Sequence, residues 1–218
     1  MMRMRKKKHE KERLAACGGM LLPAPAAPIS SSLTDFGVEA PLALEIGCGK
    51  GGFIREVAKR NPSVCHYALE RVSNVMVTAV ENAIATREER ETDNLRFMIA
   101  NAEMLCDYFA PESLDVIYLN FSDPWPKKGH AKRRLTHRAF LERYFTVLKK
   151  GGEIRFKTDN VGLFDFTLEE IAALGLAPAA VTRDLHASPY MEGNVMTEYE
   201  RNFSSMGMPI HMLILKRP

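Results

Sequence analysis

Glu45-Ile-Gly47-Cys-Gly49-Lys-Gly51-Gly52 places a carboxylate directly before a loop of closely spaced glycines. Glycines are needed where a backbone turns sharply and a ligand must approach without meeting a Cβ. Such a loop serves a nicotinamide cofactor, a flavin or S-adenosylmethionine, and it also occurs as a tight turn with no ligand. The acid shifts the balance. A carboxylate at Glu45 repels a pyrophosphate but suits a cation carrying an ammonium and a sulfonium, and a charge buried on a strand needs a partner. Glu70 ends the next expected strand, where an acid accepts hydrogen bonds from ribose hydroxyls. Asn101, in Ala100-Asn101-Ala102, is placed either to read the adenine of such a ligand or to act as a cap or turn former.

Leu119-Asn-Phe-Ser-Asp123-Pro-Trp-Pro-Lys-Lys128 is the second chemical stretch. In an open parallel sheet ligands bind beyond the carboxyl ends of the strands, so Asp123 projects towards the crevice of the glycine loop. The two prolines stiffen the bend that carries it. Trp125 reads equally as a hydrophobic lid or a base-stacking surface. Lys127, Lys128, Lys132, Arg133, Arg134 and Arg138 follow with no acid among them. Beside a ligand crevice they offer a phosphate-binding surface; alone they read as a solvated helix end. His130 and His137 lack metal-ligand spacing with a cysteine or acid, and no metal site is expected.

The elements that must hold these residues follow from hydrophobic patterning. The chain has 218 residues, 46% hydrophobic and 26% charged, the composition of an ordinary globular protein. No apolar run approaches the roughly 18–20 residues of a membrane-spanning helix. Net charge is only +3, yet residues 1–13 carry seven basic side chains against two acidic ones. Two basic patches on a near-neutral body suggest a polyanionic partner. Cys17, Cys48, Cys65 and Cys106 lack C-x-x-C spacing, which fits a reducing cytoplasm. Leu14-Ala-Ala-Cys17 has the local form of a lipoprotein processing site, but no apolar segment precedes it.

Glycines and prolines mark 18–40 as an irregular linker, so that 1–40 form a basic arm and 41–218 a single α/β domain. Strands are expected at 42–46, 66–70, 95–100, 114–121, 153–158 and 212–215. Helices are expected at 51–60, 73–89, 136–148 and 163–174, with Gly151 just past the end of the third. This alternation argues an open sheet covered by helices on both faces.

Asn120-Phe-Ser-Asp-Pro-Trp-Pro-Lys-Lys-Gly-His-Ala-Lys-Arg-Arg-Leu135 resembles the signature of bacterial tRNA (guanine-N7-)-methyltransferases. Glu45–Gly51, Phe156-Lys-Thr-Asp159 and Thr197-Glu-Tyr-Glu200 are similar to that family's other motifs, in the same order. Met2-Arg-Met-Arg5 is similar to its N-terminal start, though the aromatic residue expected soon after is absent. The likeness covers about 42–216; the polar segment near Thr86–Asp93 and the Gly/Pro-rich segment before the first strand depart from it.

The resemblance implies a Rossmann-like class I methyltransferase fold, with a mostly parallel seven-stranded sheet and helices on both faces. It implies S-adenosylmethionine as cofactor, bound by Glu45, Gly47, Gly49, Glu70, Asn101 and Asp123, with Asp123 at the catalytic centre. It implies tRNA as partner, contacted by Lys127, Asp159, Thr197, Glu198, Tyr199 and Glu200. Arg3, Arg5, Lys132, Arg133 and Arg134 would face the tRNA backbone. Methylation of guanine N7 needs no general base, so Asp123, Asp159 and Glu200 would converge for orientation and electrostatics. A methyltransferase for an exocyclic amine or small molecule, a non-catalytic RNA binder and a nicotinamide-dependent dehydrogenase are the alternatives. Monomer and homodimer are left open.

Overall fold

The computed structural model describes residues 9–87 and 93–218. Arg3, Arg5 and the far end of the helix expected to reach residue 89 lie outside the described residues.

Eight strands form one sheet: β1 (Leu21–Leu22), β2 (Leu42–Ile46), β3 (Cys65–Glu70), β4 (Leu95–Ile99), β5 (Leu114–Asn120), β6 (Leu148–Thr158), β7 (Ala180–Thr182) and β8 (His211–Lys216). Their order is β1-β4-β3-β2-β5-β6-β8-β7. The first six in that order run parallel, while β8 is antiparallel to both of its neighbours. From β2 the chain winds outward through β3 and β4, then returns to lay β5 on the other side of β2. This reversal leaves a crevice beyond the carboxyl ends of β2 and β5.

Strand periodicity sends alternate residues to opposite faces, and helices cover both. Leu42, Leu44, Ile46, Leu69, Met98, Ile117 and Leu119 pack beneath α5 (Leu105–Tyr108), α6 (Arg138–Val147) and α7 (Val161–Ala173). Ala68 and Phe97 pack on the other side, against Ile54 and Val57 of α3 (Gly52–Arg60) and Met76 and Val80 of α4 (Ser73–Ala85). Glu45 therefore points to the α3 side, away from Leu44 and Ile46.

The segment before residue 41 lies against the sheet. In α1 (Glu10–Ala16), Arg13 Nε donates to Glu81 Oε1 of α4 at 2.7 Å and Ser73 donates to Glu10. β1 pairs with Phe97 and Met98 and supplies the eighth strand. Ile29 bridges Phe109, and the buried Ser32 hydroxyl, at the start of α2 (Leu33–Phe36), donates to Val38 O at 2.7 Å. A two-residue strand carries too little periodicity to read, so the stretch expected as linker conceals one edge of the sheet.

The third expected helix ends at Val147, and Gly151, with φ +74°, lies inside β6, where pairing with β5 jumps from Leu148 to Glu153. A Cβ on Gly152 would meet Lys149 O at 2.9 Å and Asp115 O at 3.0 Å. Both obstacles are backbone and cannot turn aside. Gly152→Ala is expected to destabilise the protein by about 1–3 kcal/mol in urea denaturation, because overpacking forces the bulge to shift. The site lies at the opposite strand ends, so ligand affinity should stay within twofold.

Candidate active site

The carboxyl ends of β2, β3, β4 and β5 open onto a cleft of about 870 Å³. Gly47 and Gly49 line it with φ of +77° and +57°, and a Cβ on either would meet no atom within 4 Å. They present bare backbone to the cleft. Gly51 serves a different need: at φ +76°, its Cβ would lie 3.2 Å from Ala79 Cβ and Phe97 Cε1, so α3 can start hard against the sheet. Gly47 N and Cys48 N both donate to Leu69 O, at 2.8 and 3.0 Å, which holds the loop over the end of β3.

Glu45 is 2% exposed. Its Oε1 accepts from Asn120 Nδ2 at 2.9 Å, whereas its buried Oε2 has no hydrogen-bond partner. Burial lifts the carboxyl from 4.5 to about 7, with the Glu70 charge adding to the rise and the Asn120 hydrogen bond, the Lys157 charge and the nearby Ile54 backbone N–H opposing it. Glu70 Oε2 accepts from Gly49 N at 3.3 Å and Oε1 from Val72 N at 2.9 Å, so this acid lines the cleft while bracing the loop. Asn101 also lines the cleft, and its Oδ1 accepts from Glu103 N at 3.2 Å; the capping role expected as the alternative is present.

Asp123 is exposed and lines the same cleft. The bend carrying it is bracketed by Phe121 and Trp125, whose φ values of +50° and +41° are costly for residues with a Cβ. Two contacts hold it there. Phe121 N donates to Lys157 O at 2.9 Å. Arg134, expected to face phosphate, instead donates from Nε to Pro124 O at 3.0 Å and from Nη2 to Trp125 O at 3.1 Å, with its guanidinium 4.2 Å from the Phe166 ring centroid. Arg133 lines the cleft with its guanidinium 5.0 Å from the Trp125 ring centroid. Lys127 and Lys132 are exposed outside the cleft lining. Ser122 also lines the cleft, and its buried hydroxyl has no partner.

The far lip is the start of α8 (Glu198–Ser205), which precedes antiparallel β8 and so lies at the same edge of the sheet. Thr197, Glu198 and Tyr199 line the cleft, and Lys50 Nζ reaches Glu198 Oε2 at 3.4 Å. Glu200 does not join Asp123 as a third acid facing the cleft; it is 0% exposed. It accepts from Lys157 Nζ at 2.6 Å and Asn194 Nδ2 at 2.6 Å, and lies 3.0 Å from His186 Nε2. With Thr197 it completes a capping box. Burial pushes its carboxyl up, but the Lys157 charge and these donors outweigh that and hold it below the usual carboxylate range. Asp159, just past β6, is half-buried outside the cleft lining.

Asn120, Ser122, Lys157, His186 and Asn194 had no assigned role in the sequence. Only Lys157 carried a signal: a lysine within an apolar strand needs a buried acid. Nothing in the sequence names that acid as Glu200. Among the described residues no group of three or more His, Cys, Asp or Glu side chains is placed to hold a metal ion, and no helix is long and apolar enough to cross a membrane.

Residues 39–213 match the family model described as "Putative methyltransferase". The chain is 52% identical over 182 residues to the tRNA (guanine-N(7)-)-methyltransferase of Lachnoclostridium phytofermentans, across 84% of this chain and 83% of that one. It is 46% identical over 217 residues to the enzyme of the same name from a Geobacillus species, across 100% and 96% of the two chains. Among solved structures, the 16S rRNA methyltransferase KamB superposes with a TM-score of 0.60 over 98% of this chain and 95% of that one, at 14% identity. That likeness concerns the fold alone.

The raised Glu45 carboxyl has a consequence for stability. Between pH 4.5 and about 7 the folded chain keeps a proton that the unfolded chain has lost, so this group's contribution falls as pH rises through that window. Glu45→Gln keeps the Asn120 contact and removes the charge. In urea denaturation without ligand, it is expected to exceed the wild type by about 1–3 kcal/mol at pH 8. The difference should nearly vanish at pH 4.5.

Proposed function

The chain belongs to the tRNA (guanine-N(7)-)-methyltransferase family, and from that premise we propose that it transfers a methyl group from S-adenosylmethionine to N7 of a guanine in the variable loop of tRNA, giving 7-methylguanosine. The observation that carries this reading is the unpartnered Glu45 Oε2, buried beneath the glycine loop in the cleft that also holds Asp123.

The cleft fits the cofactor on its own terms. A half-satisfied buried carboxylate suits an ammonium, bare backbone at Gly47 and Gly49 admits a ligand closely, and Glu70 offers oxygens to ribose hydroxyls. Asn101, which lines the same cleft, is the residue we assign to the adenine. When bound, S-adenosylmethionine supplies a methyl carbon made electrophilic by the sulfonium.

Guanine N7 bears an in-plane lone pair and no proton, so no residue has to act as a base. Asp123 therefore orients and stabilises: its carboxylate accepts from guanine N1–H or N2–H and offsets the positive charge that grows on the purine. Lys127, Asp159, Thr197 and Glu198 are the residues we assign to the surrounding RNA. Lys132 and Arg133, with Arg3 and Arg5, are assigned to its phosphates. Glu200 acts from beneath, by fixing the start of α8. We place this chemistry in the cytoplasm, where tRNA matures.

Incubation with undermodified tRNA and labelled S-adenosylmethionine, followed by mass analysis of the nucleosides, tests the assignment. 7-Methylguanosine is the expected product, and label on an exocyclic amine or in no nucleoside would overturn it. Asp123→Asn should lower turnover by at least about 100-fold, with thermal melting unchanged because the side chain is exposed. Lys132→Ala should reduce the salt slope of tRNA binding by about one unit and leave kcat unchanged. Arg134→Ala should do the reverse, lowering kcat with the slope intact, since its guanidinium is spent on the bend.

A further inference from the structure

The basic segment that follows the Asp123 bend is docked along one side of α7. Arg138 donates from N and Nε to Glu170 Oε2, at 2.7 and 2.9 Å, and from Nη2 to Oε1 at 2.9 Å. The buried hydroxyls of Thr136 and Thr167 meet at 2.8 Å. One turn before Glu170, the Phe166 ring has the Arg134 guanidinium carbon 4.2 Å from its centroid and the His137 ring 6.3 Å away. Phe166 and Glu170 are four residues apart and so share a face of the helix. Phe166 is half-buried, packs against the main core and does not line the cleft.

The two arginines on this face are held in different ways. Arg138 has a carboxylate, whereas Arg134 has two neutral carbonyls, those of Pro124 and Trp125, directly after Asp123. A guanidinium is a rigid planar fork, so both of those bonds form only when its plane is correctly set. Fixing so long a side chain also costs conformational entropy. Carbonyl acceptors alone compete poorly with water for such a cation. An aromatic face attracts the cation and excludes water from its flank, without adding a rival acceptor. Phe166 supplies that face, and Trp125, with φ +41°, is the strained residue at the other end of the chain of contacts.

We propose that Phe166 is a positioning residue for methyl transfer, acting through Arg134 on the bend that presents Asp123 to the base. The inference rests on the methyltransferase reading above and adds a residue that touches neither cofactor nor RNA. Removing the aromatic face frees the guanidinium to leave the Pro124 and Trp125 carbonyls. The bend then relaxes from its strained backbone conformation, and the Asp123 carboxylate drifts from the purine. Small misplacements of an orienting group act on the chemical step, so the loss falls on kcat. The glycine loop and Glu45 lie on other elements, which leaves cofactor affinity untouched.

Phe166→Leu keeps apolar bulk against the core but removes the aromatic face, Phe166→Tyr retains that face, and Glu170→Gln disturbs the same side of α7 at Arg138 instead. Trp125 is the sole tryptophan of the chain, so its fluorescence reports on the bend without any turnover. Acrylamide quenching, steady-state methylation of undermodified tRNA and S-adenosylmethionine affinity by calorimetry are measured on the full chain, well below each melting midpoint. Phe166→Leu should raise the quenching of Trp125 and lower kcat roughly 3- to 30-fold, with cofactor affinity unchanged. Phe166→Tyr and Glu170→Gln should keep wild-type quenching and stay within twofold in kcat. In an Arg134→Ala background, Phe166→Leu should cost nothing further, since the ring acts only through that guanidinium. Wild-type quenching and kcat in Phe166→Leu overturn the proposal, as does a tyrosine variant impaired like the leucine one. Full additivity with Arg134→Ala also overturns it, and so does an equal kcat loss in Glu170→Gln, which would assign the effect to docking of α7 at large. A wild type that forms no 7-methylguanosine overturns the methyltransferase reading and this role with it, whereas product formed equally by wild type and Phe166→Leu overturns the positioning role alone.

Discussion

A carboxylate with one satisfied and one unsatisfied oxygen, sealed at the end of β2, is the constraint on which the site depends. Burial of Glu45 is costly, and Asn120 at the end of β5 offsets only part of that cost. The two residues meet because the winding of the sheet reverses between their strands, which makes β2 and β5 neighbours with their carboxyl ends level. The same reversal opens the crevice above them. Fold and buried charge are therefore one arrangement, and burial pushes the carboxyl up to about 7.

Glu200 shows the opposite treatment of a buried acid. It is as deeply enclosed as Glu45, yet Lys157, Asn194, His186 and the Thr197 backbone saturate its oxygens. Lys157 in turn gives its remaining protons to Asn194 Oδ1 and Val195 O, at 3.0 and 2.9 Å. A saturated buried pair has nothing left to offer a ligand. What it provides is position, since it ties β6 to the start of α8 and so fixes the lip of the cleft. Of two buried glutamates at one edge of a sheet, the incomplete one is suited to binding and the complete one to holding shape.

The bend at Asp123 adds a third kind of constraint. Positive φ at Phe121 and Trp125 persists only where surrounding contacts over-determine it, and Lys157 O and the Arg134 guanidinium supply those contacts. Lys157 thus serves twice, through its ammonium beneath α8 and through its carbonyl beneath the bend. A single position on β6 couples both walls of the cleft.

Much of this arrangement is legible in local sequence pattern. The alternation of strands and helices, the glycine loop, Glu45, Glu70 and Asp123 were legible because each depends on neighbours only a few residues away, or on a strand end that periodicity marks. The two-residue β1 was not, since so short a strand has no period, and Gly151 was misplaced because a glycine after a helix and a glycine in a bulge look alike along the chain. The partners of Glu200 lie up to 43 residues from it, and the Glu45–Asn120 bond spans 75. Arg134 sits within a run of cations that sequence can only treat as one charged surface. Its inward turn towards Pro124 and Trp125 was decided by packing, as was the division of labour between Glu45 and Glu200. Sequence determined which charges the chain owns, and only the folded sheet determined which of them are already paired, because pairing depends on distance in space and burial rather than on order along the backbone.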